Sequence, residues 1–542
     1  MSTHEVFNQP PPLEGYDLFG TDAPLVEAVR REGADWGVED LSAYGRTLGA
    51  PATLALGALA NRDTPRLHGF DRFGHRVDWV EFHPAYHQLM ALQVGQGIHA
   101  SPWADPRPGG HVHRAAGLYL SGQVEAGSSC PISMTYAAAP VLAAGPEELR
   151  HWLPKIFSRT YDPAHRPVGE KAGALIGMGM TEKQGGSDVR ANTTAAQPLA
   201  APGPGRPYRV AGHKWFMSAP MCDAFLILAQ APGGLSCFFL PRWTPDGQLN
   251  GLRFQRLKDK LGNRSNASSE VEFDDATGWL VGGEGRGVAT IIEMVGYTRL
   301  DNVVGSAGVQ RQALVQALHH ARHRTAFQRR LVDQPLMTAV LADLALEVEA
   351  ATALAFRLAR AFDGEDPREV LLRRLVTPAA KFWVCKRGPV VAAEALEVLG
   401  GNGYIEDSGL PRLYRELPVY SIWEGSGNIM CLDTLRALHR QPEALDALAA
   451  EFDLAHGLDP RLDAFAARTL NAARGIKGEA GLRRLCRDLV VTVQAGLLVR
   501  HGPGFVAEGF LASRLTDSGG AFGLLPDGLD LHAIVDRASP NA

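Results

Sequence analysis

One carboxylate stands out among the residues that could do chemistry. Residues 421–430 read SIWEGSGNIM, so that Glu424 has a tryptophan on one side and a Gly-Ser-Gly run on the other. Apolar neighbours on one side and bare backbone on the other are the setting in which a protein tunes a carboxylate and brings it close to a substrate. Glu424 is therefore our candidate general base. The alternative is an ordinary glycine-rich turn between two helices that carries a solvated Glu.

Three further motifs precede this stretch. They read MTEKQGGSD at 180–188, HKWFMS at 213–218 and LGGNGY at 399–404. In this order and at these separations, the four motifs resemble the acyl-CoA dehydrogenase flavoprotein family. The resemblance covers residues 110–440 and is specific, because four separated motifs fall in register.

The resemblance implies FAD as the cofactor and the α,β-dehydrogenation of an acyl thioester. Glu424 would remove the α-proton while the β-hydride passes to flavin N5. The thioester carbonyl must be polarised by hydrogen-bond donors, because an α-proton is otherwise too weakly acidic.

The flavin contacts carry over from the family one residue at a time. Met180 and Thr181 would touch the flavin ring, and Ser187 would bind the pyrophosphate. Trp215 would pack on the isoalloxazine face, for which a large apolar ring is well suited. The other predicted flavin contacts are Gly186 in the 180–188 motif and, in the stretch around Glu424, Trp423, Gly425, Ser426 and Asn428.

The chain departs from the family pattern at Met217. The family has a threonine there, whose hydroxyl reaches flavin N5. The backbone N–H groups of Met217 and Ser218 are the predicted substitutes, so FAD binding is expected while the tuning of N5 is in doubt.

A second group of residues implies an oligomer. Arg324 and Phe327 resemble the family's Arg-x-x-Phe-Gly, with Gln328 in place of the glycine. With Gly400 and Gly401 they would reach the ADP part of a flavin held by another subunit. Glycine suits this role because its bare backbone lets a diphosphate approach closely.

Composition excludes several classes of protein. The 542 residues are 45% hydrophobic and 21% charged, with a net charge of −5, so nothing in bulk indicates nucleic-acid binding. The N-terminus does not resemble a signal peptide, and no apolar run is long enough to span a membrane. We therefore expect a cytoplasmic protein, whose six scattered cysteines are reduced thiols: Cys130, Cys222, Cys237, Cys385, Cys431 and Cys486.

Hydrophobic periodicity predicts a mainly α protein with a central antiparallel β-domain. Helical spacing dominates from Leu25 onward, strand-like runs such as Phe225-Leu226-Ile227-Leu228 follow, and long helical patterns return after Gly287. The predicted parts are an extended arm (1–22), an N-terminal helical domain (23–171), a β-domain (172–286), a helical bundle (287–440) and a C-terminal helical domain (441–542).

Two patterns resemble binding sites, one for a dinucleotide and one for a metal ion, but neither is predicted to be a site. The glycines at 177–179 and 282–287 look like dinucleotide-binding loops, but neither lies in a repeating βαβ unit, so no Rossmann site is predicted. His319 and His323 have helical spacing, but no carboxylate completes a metal motif, so no metal is predicted.

The C-terminal domain contains a basic segment at 461–487 with a local charge of +5. A solvated helix face is the plain interpretation, and phosphate binding is the functional one. The predicted DNA-binding residues are Arg461, Arg468, Arg474, Lys477, Arg483, Arg484 and Arg487.

A narrower resemblance concerns one branch of the family. The opening VFNQP at 6–10, the run KDKLGNRSNAS at 258–268 and the extra C-terminal domain are similar to a branch that responds to DNA alkylation. The likeness implies a homotetramer that binds double-stranded DNA, with acyl-CoA oxidation secondary. Two alternatives stay open: a metabolic dehydrogenase for short or branched acyl-CoAs such as isovaleryl-CoA, and a structural DNA-associated protein with a vestigial flavin.

Overall fold

The computed structural model describes residues 3–516 and 520–540, except for the side chain of Glu293. Within these residues the α-helices are α1 (Ala23–Val29), α2 (Val38–Gly49), α3 (Pro51–Arg62), α4 (Pro84–Gln96), α5 (Ser101–Ala104), α6 (Gly110–Val124), α7 (Ser129–Ala143), α8 (Glu147–Arg150), α9 (Leu153–Ile156), α10 (Gly287–His323), α11 (Pro335–Ala361), α12 (Pro367–Val398), α13 (Gly401–Tyr404), α14 (Leu410–Tyr420), α15 (Gly427–Arg440), α16 (Glu443–Asp453), α17 (Pro460–Gly475), α18 (Leu482–His501), α19 (Gly504–Arg514) and α20 (Leu531–Ala538).

The strands of the same residues are β1 (Arg66–Phe70), β2 (Arg76–Glu81), β3 (Ile176–Gly179), β4 (Ala195–Pro198), β5 (Pro207–Ser218), β6 (Ala224–Ala231), β7 (Gly234–Pro241), β8 (Leu252–Leu257), β9 (Ser268–Val281), β10 (Thr325–Ala326) and β11 (Arg329–Arg330). The predicted class, mainly α with a central β-domain, is confirmed.

The chain forms two compact units. We call the first the helical unit (residues 1–54, 108–123 and 299–542) and the second the sheet unit (residues 55–107 and 124–298). The last hundred residues therefore belong to the same unit as the long helices that precede them.

Seven strands of the sheet unit pair in the order β3-β5-β4-β6-β7-β9-β8, and further pairings of β3 with β6 and of β5 with β9 close the sheet on itself. Most pairs are antiparallel, as predicted, but β6 is parallel to both β3 and β4. The core run of β6, which includes Phe225 and Leu228, is completely buried. A continuous apolar run is what a strand covered on both faces requires.

The antiparallel hairpin of β1 and β2 lies in a region predicted to be helical. Its first strand reads RLHGF and alternates exposed with half-buried positions. With so few apolar residues, the period of two is too weak to be recognised from the sequence.

Long helices build the core of the helical unit. The apolar residues of α11 between Leu341 and Leu358 are buried. Helix α18 packs against both α11 and α12, and α20 packs against α11. The predicted long helices after Gly287 are thereby confirmed, and the C-terminal helices complete their core.

The N-terminal arm runs without helix or strand from residue 3 to residue 22 and lies on its own chain. Asn8 exchanges two hydrogen bonds with the backbone of Thr325, both 2.8 Å long. The Gly15 N–H donates to the carbonyl of Gly49 at 2.7 Å, and Phe19 is 1% exposed. The arm is thus anchored within the helical unit.

Candidate functional site

Glu424 lies in the turn between α14 and α15, in a backbone conformation that is rare for a side-chain-bearing residue. Its φ is 60°, and the next residue, Gly425, has a φ of 108°. Two cations hold this turn through its carbonyl groups. Arg299 Nε donates to the Glu424 carbonyl at 3.2 Å, and Lys381 Nζ donates to the Gly425 carbonyl at 2.7 Å. Strain of this kind persists only where the surroundings fix it, and it is common at active sites.

The cations that hold the turn are themselves buried and connected. Burial lowers the pKa of the Lys381 ammonium to about 8, with Cys385 and Glu424 opposing that shift and Arg299 adding to it. Arg299 also binds Asp433 at 2.6 Å. Burial by itself raises the pKa of Asp433, but Arg299 and then Arg374 outweigh it and lower the pKa.

The other residues predicted around Glu424 surround it at the start of α15. Trp423 is half-buried, whereas Ser426 and Asn428 are exposed. Gly425 has no room for a side chain, because a Cβ there would lie 2.5 Å from Cε of Met430. Flavin contacts by these residues stay predictions.

In the sheet unit, the fold brings the motif at 180–188 and the motif at 213–218 together. The Trp215 N–H donates to the carbonyl of Thr181 at 2.8 Å. Strand β3 pairs with β5 so that Gly179 faces Met217. The stretch from Met180 to Ser187 therefore leaves the end of β3 directly beside Trp215.

An ion pair that the sequence analysis missed fixes this arrangement. Glu182 and Lys214 have side chains that are 0% exposed, and their charged atoms are 2.7 Å apart. Glu182 also accepts hydrogen bonds from the N–H groups of Thr193 and Thr194. Burial by itself raises the pKa of Glu182, but Lys214 and these donors lower it to about 2. Both residues lie within the recognised motifs, yet their pairing cannot be seen in a linear pattern.

Trp215 is half-buried and bordered by cations. Lys258 Nζ lies 3.2 Å from the centre of its indole ring, and Arg256 and Lys183 lie at 5.7 Å and 5.9 Å. Cations over an aromatic face are attracted by its quadrupole. The ring predicted to face a flavin is therefore held in a positively charged surrounding.

The side chain of Met217 is buried. The residue is 0% exposed, and its side chain packs against Gly179. Its carbonyl accepts a hydrogen bond from the Ser269 hydroxyl at 3.1 Å. The predicted cofactor contacts of Met217 and of the half-buried Ser218 concern their backbone N–H groups and stay predictions.

Of the residues predicted to reach another subunit's flavin, Phe327, Gly400 and Gly401 are exposed on the helical unit and Arg324 is half-buried. Phe327 is 93% exposed, and Arg324 donates to the carbonyl of Asn8 at 2.6 Å. Gly400 and Gly401 are exposed, and a Cβ on either would meet no atom within 4 Å. Gln328 has a φ of 65°, the left-handed conformation that explains the family's glycine at this position.

The basic segment divides into paired and unpaired cations. Arg461 binds Asp459 at 2.8 Å and Glu508 at 2.6 Å, and Arg487 binds Asp488 at 2.7 Å. Arg461 and Arg487 thus already have carboxylate partners, and their contact with DNA stays a prediction. The other five cations are exposed, and no carboxylate of the described residues lies within 4.0 Å of them: Arg468, Arg474, Lys477, Arg483 and Arg484.

The face of α18 opposite these arginines is buried, as predicted. Leu482, Leu485, Leu489 and Val490 are all less than 5% exposed. Arg483 lies 5.2 Å from the ring of Phe382 on α12. The helix is thus anchored by its apolar face and presents its first basic residues to solvent.

His319 and His323 have their own structural partners. His319 Nε2 lies 2.8 Å from the Pro11 carbonyl, and His323 Nδ1 lies 2.8 Å from the His319 carbonyl. Across residues 3–516 and 520–540, no three His, Cys, Asp or Glu side chains are grouped as a metal ion would need. Every helix in the same residues is too short or too polar to cross a membrane.

Three family models match the chain in succession. Residues 8–163 match the Adaptive response protein AidB N-terminal domain. Residues 177–276 match the acyl-CoA dehydrogenase middle domain, and residues 285–439 match the acyl-CoA dehydrogenase C-terminal domain.

Individual proteins agree with these matches. The putative acyl-CoA dehydrogenase AidB of Escherichia coli is 50% identical over 521 residues, which is 96% of this chain and 95% of the relative. Acyl-CoA dehydrogenase family member 11 of Caenorhabditis elegans is 32% identical over 73% of this chain and 66% of its own length. The crystal structure of Caenorhabditis elegans ACDH-11 in complex with C11-CoA superimposes with a TM-score of 0.83 at 27% identity, covering 100% of this chain and 94% of that one.

Proposed function

The chain belongs to the acyl-CoA dehydrogenase family, and from that premise we propose that it is an AidB-type flavoprotein that binds double-stranded DNA in the response to DNA alkylation. Weak or secondary acyl-CoA oxidation accompanies this role. The adaptive-response family model over residues 8–163 and the unpaired cations of the basic segment support the proposal.

Family membership implies FAD as the cofactor. The residues that would hold it fit a flavin. The hydroxyl groups of Thr181 and Ser187 donate to no described residue, and the Trp215 ring is partly accessible. Gly400 and Gly401 leave open space where a diphosphate needs close backbone approach. When bound, FAD supplies the hydride acceptor for acyl-CoA oxidation.

In that oxidation Glu424 takes the α-proton onto a carboxylate oxygen. The position of its backbone is fixed by Arg299 and Lys381, which donate to the carbonyls of Glu424 and Gly425. A carboxylate held near its working geometry contributes through orientation as well as basicity.

DNA binding is supported by five exposed cations on α17, α18 and the residues between them. Arg468 and Arg474 lie on α17, Lys477 follows it, and Arg483 and Arg484 begin α18. Arginine binds phosphate well because its planar fork donates two hydrogen bonds at once. Contacts to phosphate position a protein on DNA without reading its sequence, so binding should be insensitive to sequence.

Duplex binding across a salt series tests this proposal. Replacing Lys477, Arg483 and Arg484 together by Gln should weaken binding to two unrelated duplexes equally. The slope of log K against log salt is negative, and each lost phosphate contact makes it less steep by about 0.9. The slope of the triple variant should therefore be less steep than that of the wild type by about 2.7.

Arg461→Gln is the matched control, because this arginine is on the same segment but already bound to Asp459 and Glu508. Its salt slope should equal that of the wild type. A triple variant with unchanged affinity and slope, and with the fold intact by circular dichroism, would remove this segment from the DNA surface.

The second candidate is a metabolic dehydrogenase for short or branched acyl-CoAs. The observation that favours it is the intact support of Glu424 by Arg299 and Lys381, which a protein without turnover has no need to keep. Anaerobic flavin reduction by an acyl-CoA panel, with isovaleryl-CoA among the short chains, separates the two. Rapid reduction by one member, together with absent DNA binding, would favour the metabolic function.

We further propose a cytoplasmic homotetramer in which Arg324, Phe327, Gly400 and Gly401 approach the flavin of a neighbouring copy. The exposure of Phe327, Gly400 and Gly401 on the helical unit supports this arrangement. Light scattering coupled to gel filtration measures the assembly, and a monomer that binds FAD stoichiometrically would contradict it.

A further inference from the structure

A cavity of about 400 Å³ opens in the sheet unit near the start of β3. Leu175, which precedes β3, lines it, whereas Met180 and Thr181 follow the other end of that strand. Much of its wall is aromatic or apolar, with Trp79, Phe82 and Trp243 among the lining residues. Volumes of this size and mostly apolar walls are typical of sites for small organic molecules.

Three carboxylates line the same cavity, and each is already neutralised by its own cation. The pairs are Asp78 with Arg76 at 2.7 Å, Asp162 with Arg166 at 3.0 Å, and Asp223 with Lys171 at 2.6 Å.

Arg242 also lines the cavity, but it differs from the cations of these three pairs. The residue is 5% exposed, yet no carboxylate of the described residues lies within 4.0 Å of its guanidinium. It donates to the carbonyls of Pro220 and Asp78 and to Nε2 of His165, which uses three of its five N–H groups. Burial lowers the pKa of Arg242 to about 10, with Asp78 and Asp223 opposing that shift through space, so it stays charged at neutral pH. Buried charges are normally paired, because an unpaired one is costly.

His165 adds a neutral donor next to this charge. A guanidinium can only donate, so His165 Nε2 accepts from Arg242 and the ring carries its proton on Nδ1. Burial lowers the pKa of His165 to about 4, helped by Arg242 and Lys171, which keeps the ring neutral. His165 lines the cavity beside Trp243, with their ring centres 5.2 Å apart.

We propose that this cavity binds a small organic monoanion, namely a carboxylate carried on a flat aromatic body. The carboxylate pairs with Arg242 and the body packs on the aromatic wall. A single charge is expected because, of the two arginines among the described residues that line this cavity, Arg166 pairs with Asp162 and Arg242 has no carboxylate partner. A dianion such as a phosphate monoester would leave negative charge uncompensated near Asp78 and Asp223.

Calorimetric titration of the full-length, FAD-saturated protein with benzoate tests this site. Benzamide is the matched neutral probe, since it has the same shape without the charge. Benzoate should bind and benzamide should bind about tenfold more weakly, because hydrogen bonds to a charged group are the stronger ones. The flavin absorbance spectrum should not change during the titration. Equal affinities, or a flavin spectrum that shifts with benzoate, would overturn the proposal.

Three variants locate the binding. Arg242→Gln should weaken benzoate by about tenfold, and Ala164→Phe should abolish binding by filling the cavity while leaving Arg242 in place. Arg253→Gln is the control, because this arginine of the same unit binds Asp274 and does not line the cavity. If Arg242→Gln fails to fold, Ala164→Phe decides. Wild-type benzoate affinity in folded Ala164→Phe would refute the site.

Discussion

Glu182→Gln should destabilise the sheet unit strongly, because it removes one half of an ion pair that has no contact with water. Glu182 and Lys214 are both 0% exposed in their side chains. After the substitution the acceptors of the Lys214 ammonium are neutral: the side-chain oxygen of the new Gln and the Leu228 carbonyl, 2.7 Å away. An amide cannot compensate a buried positive charge.

The size of the effect follows from that burial. Removing one partner of a buried pair costs about 3–5 kcal/mol. Each kcal/mol lowers the melting temperature of a unit of this size by about 2–4 °C, so a fall of about 6–20 °C is expected. The same change should weaken FAD binding, because Glu182 also holds the N–H groups of Thr193 and Thr194 in the loop that follows Thr181.

The loss of stability caused by Glu182→Gln should depend on pH. Burial lowers the pKa of Lys214 to about 8 even though Glu182 raises it, so without Glu182 the pKa of this ammonium must fall further. A lysine whose pKa is lower in the folded state than in the unfolded state gives stability that increases as pH rises between those two values. Between pH 6 and pH 8, where Glu182 of the wild type is ionised, the loss of stability in the variant should therefore be largest at pH 6. It should shrink as pH rises towards 8, where neutral Lys214 no longer needs a partner.

Thermal melting of wild type, Glu182→Gln and the double variant Glu182→Gln with Lys214→Met, recorded at pH 6, 7 and 8, checks this reasoning. The double variant should recover much of the stability, because it removes both charges and leaves none unpaired. A single variant that melts within about 2 °C of wild type at pH 6 would refute the role given to the pair. A double variant no more stable than the single one would do the same.

The remaining predictions concern the site and the arm. Glu424→Gln should keep FAD but abolish flavin reduction by isovaleryl-CoA, because the amide has the same shape and cannot accept the α-proton; reduction at the wild-type rate would mean that another residue is the base. Gly186→Ala should lower FAD affinity in a fluorescence titration, since its Cβ would lie 2.4 Å from Oγ1 of Thr181. Gly169→Ala, where a Cβ meets nothing within 4 Å, should leave that affinity unchanged, and equal affinities in both variants would count against the placement of this loop. Asn8→Ala should release the N-terminal arm and speed its cleavage in limited proteolysis, because two hydrogen bonds to Thr325 are lost; an unchanged digestion pattern would show that Asn8 does not hold the arm.

Features set by local sequence were predictable. The long helices α11 and α12 follow from apolar residues at helical spacing, and the buried strand β6 follows from a continuous apolar run. Glu424 could be selected because its neighbours in the sequence are also its surroundings in the turn. In each case the residues that decide the outcome lie within a few positions of one another.

The tertiary structure decided what depends on residues far apart in the chain. Seven cations of the basic segment look equivalent in the sequence, yet Glu508, 47 residues after Arg461, neutralises that arginine while Arg484 stays unpaired. The Met217 side chain, on the strand residue that pairs with Gly179, is completely buried, which the motif alone did not indicate. Charge compensation and burial are properties of three-dimensional neighbours. For this reason only the folded chain shows that Glu182 and Lys214 are a pair and that no carboxylate of the described residues pairs with Arg242.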